Sequence, residues 1–215
     1  LVFNDSEPTA SYQVAVGYLA LTSNTTGNAN TAIGSESLKT NTVGDRNTAV
    51  GYQSLRDANP SSNADTYNTA MGYQTGASLT TGQRLTAVGG QAADAVTTAT
   101  DITAVGYAAY SGGTTASHNT AVGSYAMDAA VTGEYNTAIG RDALGALTSG
   151  QYCSGLGAYA LWSNTTGENN TAVGGNALFD NTTGSYNTAV GHEALANNTT
   201  ASYNTAVGRY ALYTN

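Results

Sequence analysis

Residues 170–186 read NTAVGGNALFDNTTGSY and residues 187–203 read NTAVGHEALANNTTASY. Two nearly identical stretches laid end to end mark a structural repeat, and a repeat decides the fold before any single residue does. The glycine that closes each AVG-like triplet recurs as Gly17, Gly34, Gly51, Gly72, Gly89, Gly106, Gly123, Gly140, Gly157, Gly174, Gly191 and Gly208. Every step is 17 residues except that from Gly51 to Gly72, which is 21. The long step carries the twelve residues RDANPSSNADTY at 56–67 in place of the usual eight, a four-residue insertion within a stretch rich in Asn, Pro, Ser and Asp. Such an insertion suits a surface loop, where extra length costs little entropy. The period resumes after it, so one array is expected from 12 to 215, preceded by a lead-in over 1–11.

Each repeat position is a column once the turns are stacked. The residue before the marker glycine is aliphatic or Met in every turn, Ala precedes it in eleven, and Thr precedes that in ten, with Val14 and Ser154 as the substitutes. Three residues after the glycine stands Ala, Ser or Thr, usually followed by Leu. Seventeen residues with two short apolar pieces cannot hold the helix pair of a helical repeat, and helical periodicity is absent. The pattern predicts an all-β chain, a parallel β-solenoid (β-roll or β-helix) of twelve turns.

Several column roles follow. Asn30, Asn47, Asn170 and Asn187, with their equivalents, are placed to form an amide ladder. The NTTG segment reads as a corner. Alternation along a strand puts Thr31 and Ile33 on one face and Ala32 and Gly34 on the other, and the same rule separates Ala177 from Leu178. Val173, Val190, Leu178 and Leu195 are therefore structural columns. If the small-residue face is internal, columns of Val and Leu become an exposed interaction surface; if the large residues are internal, the exterior is Ala and Thr and a monomer suffices.

Composition narrows the function classes. Six Lys or Arg against fourteen Asp or Glu give a net charge of −8, with no cationic stripe for a phosphate backbone, so nucleic acid is not expected as a partner. No run of about 18 apolar residues could insert in a membrane, and no signal peptide precedes Leu1. The chain starts without Met and stops in mid-motif, as a segment of something longer would. The single cysteine, Cys153, rules out an intrachain disulfide framework and a CxxC site.

The NTAVG triplets with AL and NTTG resemble two related groups, and the likeness covers Gln13 to Asn215. One is the YadA-type head of trimeric autotransporter adhesins; the other is the NTAVG-repeat shaft of phage tail fibres. The resemblance implies a left-handed solenoid, a homotrimer, and an extracellular place on a virion or bacterial surface, with attachment to a cell-surface glycan or envelope protein. The turns are longer than those of the adhesin head and the NTTG connector is regular, which favours the fibre branch. The adhesin head stands as the alternative, and a lectin-like solenoid as another.

Candidate chemistry is sparse. His118 and His192 occupy different columns and read as tolerated surface residues. Cys153 sits in an Asn slot, a near-isosteric replacement with no electropositive neighbourhood to activate it. No calcium nonapeptide and no repeated carboxylate pair occurs, so no metal, no cofactor and no catalytic residue is expected, nor an enzyme. An antifreeze role would call for two Thr ranks, whereas here Val follows at the second position. The aromatic slots are more informative. Tyr135, Tyr152, Tyr186 and Tyr203 precede the Asn slot, and Trp162, Phe179 and Tyr213 share the slot after the Leu. An aromatic ring offers an apolar platform to a sugar face, so Tyr135, Tyr152, Trp162, Phe179, Tyr186 and Tyr203 are the candidate glycan contacts. Packing at corners or between subunits is their plainer role. The NxT sequons at Asn24, Asn164 and Asn181 follow from the repeat itself.

Overall fold

The computed structural model describes residues 12–214, so the lead-in over 1–11 lies outside the described residues. It contains strands and turns and, among the described residues, no helix. The strands, in chain order, are β1 (Val14–Val16), β2 (Thr31–Ile33), β3 (Gly44–Asp45), β4 (Thr48–Val50), β5 (Ala64–Asp65), β6 (Thr69–Met71), β7 (Thr86–Val88), β8 (Thr103–Val105), β9 (Thr120–Val122), β10 (Thr137–Ile139), β11 (Ser154–Leu156), β12 (Thr171–Val173), β13 (Thr188–Val190) and β14 (Thr205–Val207). All but β3 and β5 join one twelve-stranded parallel sheet in strict chain order. Thr lies beside Thr, Ala beside Ala and Val beside Val from one rung to the next, as in Thr171↔Thr188 and Val173↔Val190. The chain is thus a parallel β-solenoid with 17 residues between equivalent positions of ordinary turns. Twelve strands bound eleven intervals, about 53 Å of ladder at about 4.8 Å per rung.

The insertion leaves this register intact, since Thr48 pairs with Thr69 across it. Within the lengthened stretch β5 pairs with β3 of the preceding turn, Gly44↔Ala64 and Asp45↔Asp65. Asn59, next to Pro60, accepts hydrogen bonds from the Thr42 N–H and hydroxyl. Loop length is absorbed at a corner while the ladder continues.

The strand face divides as alternation requires. The Ala column is inside, with Ala32, Ala49, Ala172 and Ala189 fully buried, and the Thr and Val columns point outward. The second apolar piece departs from expectation, because Ala177 and Leu178 are both fully buried, as are Ala194 and Leu195. These residues are not a strand. The Ala177 N–H bonds back to the Gly174 carbonyl and the Asn181 N–H to the Leu178 carbonyl, closing two consecutive tight turns. Leu178 has φ +52° between them, so the two-residue alternation on which an outward Leu rested does not apply. Leu178 and Leu195 are thereby withdrawn from the expected exposed apolar surface, which keeps its Val column, and the Leu column is exposed at Leu212 in the last turn.

The interior is thin enough that Ala and Leu columns nearly fill it, and polar columns complete it. Asn30, Asn47, Asn136, Asn170 and Asn187 are buried, and each bridges two turns. The Asn170 side-chain oxygen accepts the N–H of Asn187 in the next turn, while its amide donates to the Gly184 carbonyl that closes its own turn. This column is therefore mainly a side chain-to-backbone ladder. The side chain-to-side chain amide ladder lies in the NTTG column, where Asn181 donates to Asn164 and Asn198 to Asn181, each at 2.8 Å. Toward the middle of the array both columns turn apolar, with Leu79 and Val96 in one and Leu85 and Ile102 in the other. Among the described residues no buried side-chain polar atom lacks a partner.

Candidate functional site

Three kinds of surface run along the solenoid. The first is the outward face of the ladder. Thr171 and Val173 project from the same side of β12, and the register repeats both at every rung. The aliphatic column includes Ile33, Met71, Val88, Ile139, Leu156, Val173 and Val190, each at least 37% exposed. Its two ranks are one of hydroxyls and one of branched or linear aliphatics.

The second surface is the NTTG corner. There the Thr165 hydroxyl donates to the Thr182 carbonyl and the Thr182 hydroxyl to the Thr199 carbonyl, at 3.1 and 3.0 Å. These hydroxyls are spent on holding turns together. The sequon residues Asn164 and Asn181 are fully buried and Asn24 nearly so, and their amide nitrogens donate to Gly167, Gly184 and Gly27. The folded chain has no room for a glycan on any of them.

The third surface is aromatic, and the structure divides the six candidate residues into three separate stacks. Tyr135 and Tyr152 lie at 5.2 Å and 3° between ring planes, with His118 stacked on Tyr135 at 4.8 Å. Tyr186 and Tyr203 pair at 5.1 Å and 1°. Trp162 and Phe179 pair at 5.2 Å and 15°. The Tyr slot has positive φ in every case, 61° at Tyr135 and 59° at Tyr186, a conformation a non-glycine residue adopts only at a cost of about 1–2 kcal/mol. Face-to-face stacking between rungs offsets part of that cost, at about 0.5–1.5 kcal/mol per aromatic pair beyond area burial. The same stacking consumes the ring faces that a sugar would use, so within a column only edges are presented. A free face survives only where a column ends or skips a rung. Sequence alone placed the rings correctly but could not show that their faces were already occupied.

The titratable groups do not assemble into a reactive centre. Each histidine meets an acid at the surface: His118 Nδ1 lies 3.6 Å from Asp101 and His192 Nδ1 3.6 Å from Glu193. Asp101 is also gripped by Arg84 at 2.6 Å, and that hydrogen bond holds its carboxyl below the usual range. These are exposed pairs between neighbouring residues of corners and columns, and Asp101 is also met by the Thr100 side chain. Cys153 occupies its Asn slot as expected, taking the Asn136 oxygen on its N–H and directing its thiol at the Gly167 carbonyl, 3.2 Å away. Burial pushes its pKa up to about 11, the opposite of an activated thiol. Among the described residues no group of three or more His, Cys, Asp or Glu side chains could hold a metal ion.

A groove of about 250 Å³ is lined by Asn176, Phe179, Asp180, Glu193, Ala196, Asn197 and Tyr213. It includes Phe179 from the candidate glycan contacts and none of the candidate tyrosines. Comparison of the chain with known protein families, with curated proteins and with solved structures gives no match.

Proposed function

We propose that the chain is a rigid, repetitive segment of an extracellular fibre, a left-handed solenoid assembled as a homotrimer, that serves attachment of a virion or bacterial surface to a cell. The observation that carries this reading is the unbroken outward column of aliphatic side chains along the ladder. A surface that repeats at about 4.8 Å is matched by a partner that repeats at the same interval, and a second copy in parallel register does so by construction. Burying each branched side chain is worth about 1.5–3 kcal/mol at most, summed along the rod. The choice of three copies, the hand of the coil and the place on a virion or cell rest on the resemblance of the NTAVG repeats to tail-fibre shafts and adhesin heads. Stiffness is the physical service of such a segment: every rung hydrogen-bonds to the next, and weak contacts on three chains would add through multivalency.

The test is the solution mass of the purified segment by light scattering. About three times the 21.7 kDa chain mass is expected. Replacing Val173 and Val190 by Glu should shift the mass toward the single chain while leaving the β-sheet circular dichroism intact. A wild-type chain that stays monomeric at high concentration would remove the trimer.

A further inference from the structure

The groove at 176–213 is a break in an aromatic column, and its dimensions follow from the repeat. Trp162, Phe179, Ala196 and Tyr213 occupy one slot in four successive turns. Trp162 covers one face of Phe179. On the other side Ala196, only 4% exposed, supplies no ring, and Tyr213, 40% exposed, stands one rung further on. The Phe179 and Tyr213 positions are two rungs apart, about 9.6 Å at about 4.8 Å per rung, and the Tyr213 ring is braced edge-on by Tyr210 at 5.6 Å. Two van der Waals contacts of about 3.5–4.0 Å take up most of that width. What remains is too wide for a single plane of atoms and suits a puckered ring.

The edges of the slot are polar in a regular way. Asn176 and Glu193 flank it on one side and Asp180 and Asn197 on the other, one amide and one carboxylate each. Among the described residues the side chains of Asn176, Asp180 and Asn197 have no hydrogen-bond partner, and Glu193 meets only the neighbouring His192. The backbone beneath is fixed: the Asp180 N–H bonds to the Ala196 carbonyl at 2.8 Å and the Asn197 N–H to the Tyr213 carbonyl at 3.0 Å. Apolar walls above and below, with planar hydrogen-bonding groups around the rim, are complementary to a ring whose faces are C–H and whose rim is hydroxyl.

We propose that this slot binds a pyranose with equatorial hydroxyls, neutral or amino-substituted, held between Phe179 and Tyr213 over Ala196 and hydrogen-bonded at its rim by Asn176, Asp180, Glu193 and Asn197. The two carboxylates exclude uronic acids and other anionic sugars and favour an ammonium substituent. The slot belongs to three turns of one chain and does not depend on the trimer. In the Tyr slot the skipped rung between Tyr152 and Tyr186 is occupied by Asn169 rather than by an alanine, and in the slot after the marker glycine the small residue Gly90 between Tyr73 and Tyr107 lies against the Tyr107 ring.

The test is titration of the 215-residue segment with methyl β-D-glucopyranoside, methyl β-D-glucosaminide and methyl β-D-glucuronide, followed through the side-chain amide NMR signals of Asn176 and Asn197. Saturable shifts with a dissociation constant on the order of 1 mM are expected for the first, tighter binding for the glucosaminide, and at least about tenfold weaker binding for the glucuronide. Ala196→Phe fills the slot with the ring that the Trp162–Phe179 stack already accommodates and should abolish the shifts of the remaining signals. Asn176→Ala and Asn197→Ala give an independent route, since Ala108 and Ala146 occupy the same two columns in other turns. Each should weaken binding about tenfold, followed on the other amide. No saturable shift with about 50 mM glucopyranoside would overturn the proposal, as would binding that survives Ala196→Phe or stronger binding of a flat aromatic cation such as benzamidine. The solution mass has no bearing on these outcomes, so loss of the sugar site and loss of the fibre reading are distinguishable.

Discussion

Replacing Gly191 by Ala and, separately, Gly208 by Ala isolates the force that sets the spacing of the turns. The two glycines hold the same column in adjacent turns with nearly the same backbone, φ +133° and +123°. They differ in what a methyl group would meet. At Gly191 a Cβ would lie 2.5 Å from the Gly208 carbonyl oxygen and 2.6 Å from its carbon, whereas at Gly208 the nearest atom is the Ala211 Cβ at 3.9 Å. Both substitutions carry the cost of a side chain at this φ, about 1–3 kcal/mol. Gly191→Ala adds a clash with backbone that cannot rotate away, about 1–3 kcal/mol. Relief by separating the turns would stretch the bond from the Gly208 N–H to the Val190 carbonyl, now 2.8 Å, for about 0.5–1.5 kcal/mol more. Gly191→Ala should therefore exceed Gly208→Ala by about 1.5–4.5 kcal/mol, the sum of the last two terms. At about 2–4 °C per kcal/mol for a chain of this size, the gap in melting temperature in the 215-residue segment is about 3–18 °C. Hydrogen exchange should show the opening centred on β13 and β14, since solenoid stability is a sum of neighbouring-turn interactions. Equal melting temperatures for the two variants would refute the claim that close glycine-to-glycine contact sets the rung spacing.

Asn136→Ala would strip the partner from both the Cys153 N–H and the Gly150 carbonyl, now at 2.9 and 3.0 Å. A loss of about 2–4 kcal/mol by denaturant unfolding is expected, against little change for Cys153→Asn, which restores the column's own residue. In the native chain Cys153 should resist a thiol reagent at pH 8 and react on unfolding; fast labelling of the folded chain would contradict its burial. Alkaline pH should destabilise the fold. Burial raises Cys153 from about 9 to about 11 and Tyr110 from about 10 to about 12. In that window the unfolded chain releases protons that the folded chain retains, so stability is full below pH 9 and falls as pH rises through 9 to 12. The slope is about 1.4 kcal/mol per pH unit for each group in its window. Cys153→Asn should remove the earlier part of this fall, and a melting temperature flat from pH 8.5 to 11 would count against both burials.

Much of the fold was legible because repetition converts one-dimensional spacing into three-dimensional register. The period of 17, the TAV strands, the survival of register across the insertion and the role of Cys153 as an Asn substitute all follow from stacking equal turns. Local geometry was less legible. Leu178 was expected to face away from Ala177, because alternation is a property of extended backbone and the segment holds positive φ instead. The Asn columns were recognised, but which of them forms the side-chain amide ladder depends on distances across the interior. The candidate rings were named from their columns, yet whether a ring face is free depends on the residue 17 positions away. The groove escaped sequence reasoning for the same reason, although an alanine between two aromatics at that interval was its visible sign.

The sequence by itself thus determined the architecture of this protein: a periodic chain that stacks its turns must bring like residues together, and parallel pairing of short strands is the arrangement that satisfies their backbone. Tertiary structure alone decided which side of each turn became surface. It turned Leu inward, left Val outside, and spaced Phe179 and Tyr213 two rungs apart over Ala196, because those outcomes depend on backbone φ values and on packing between turns rather than on the order of letters within one.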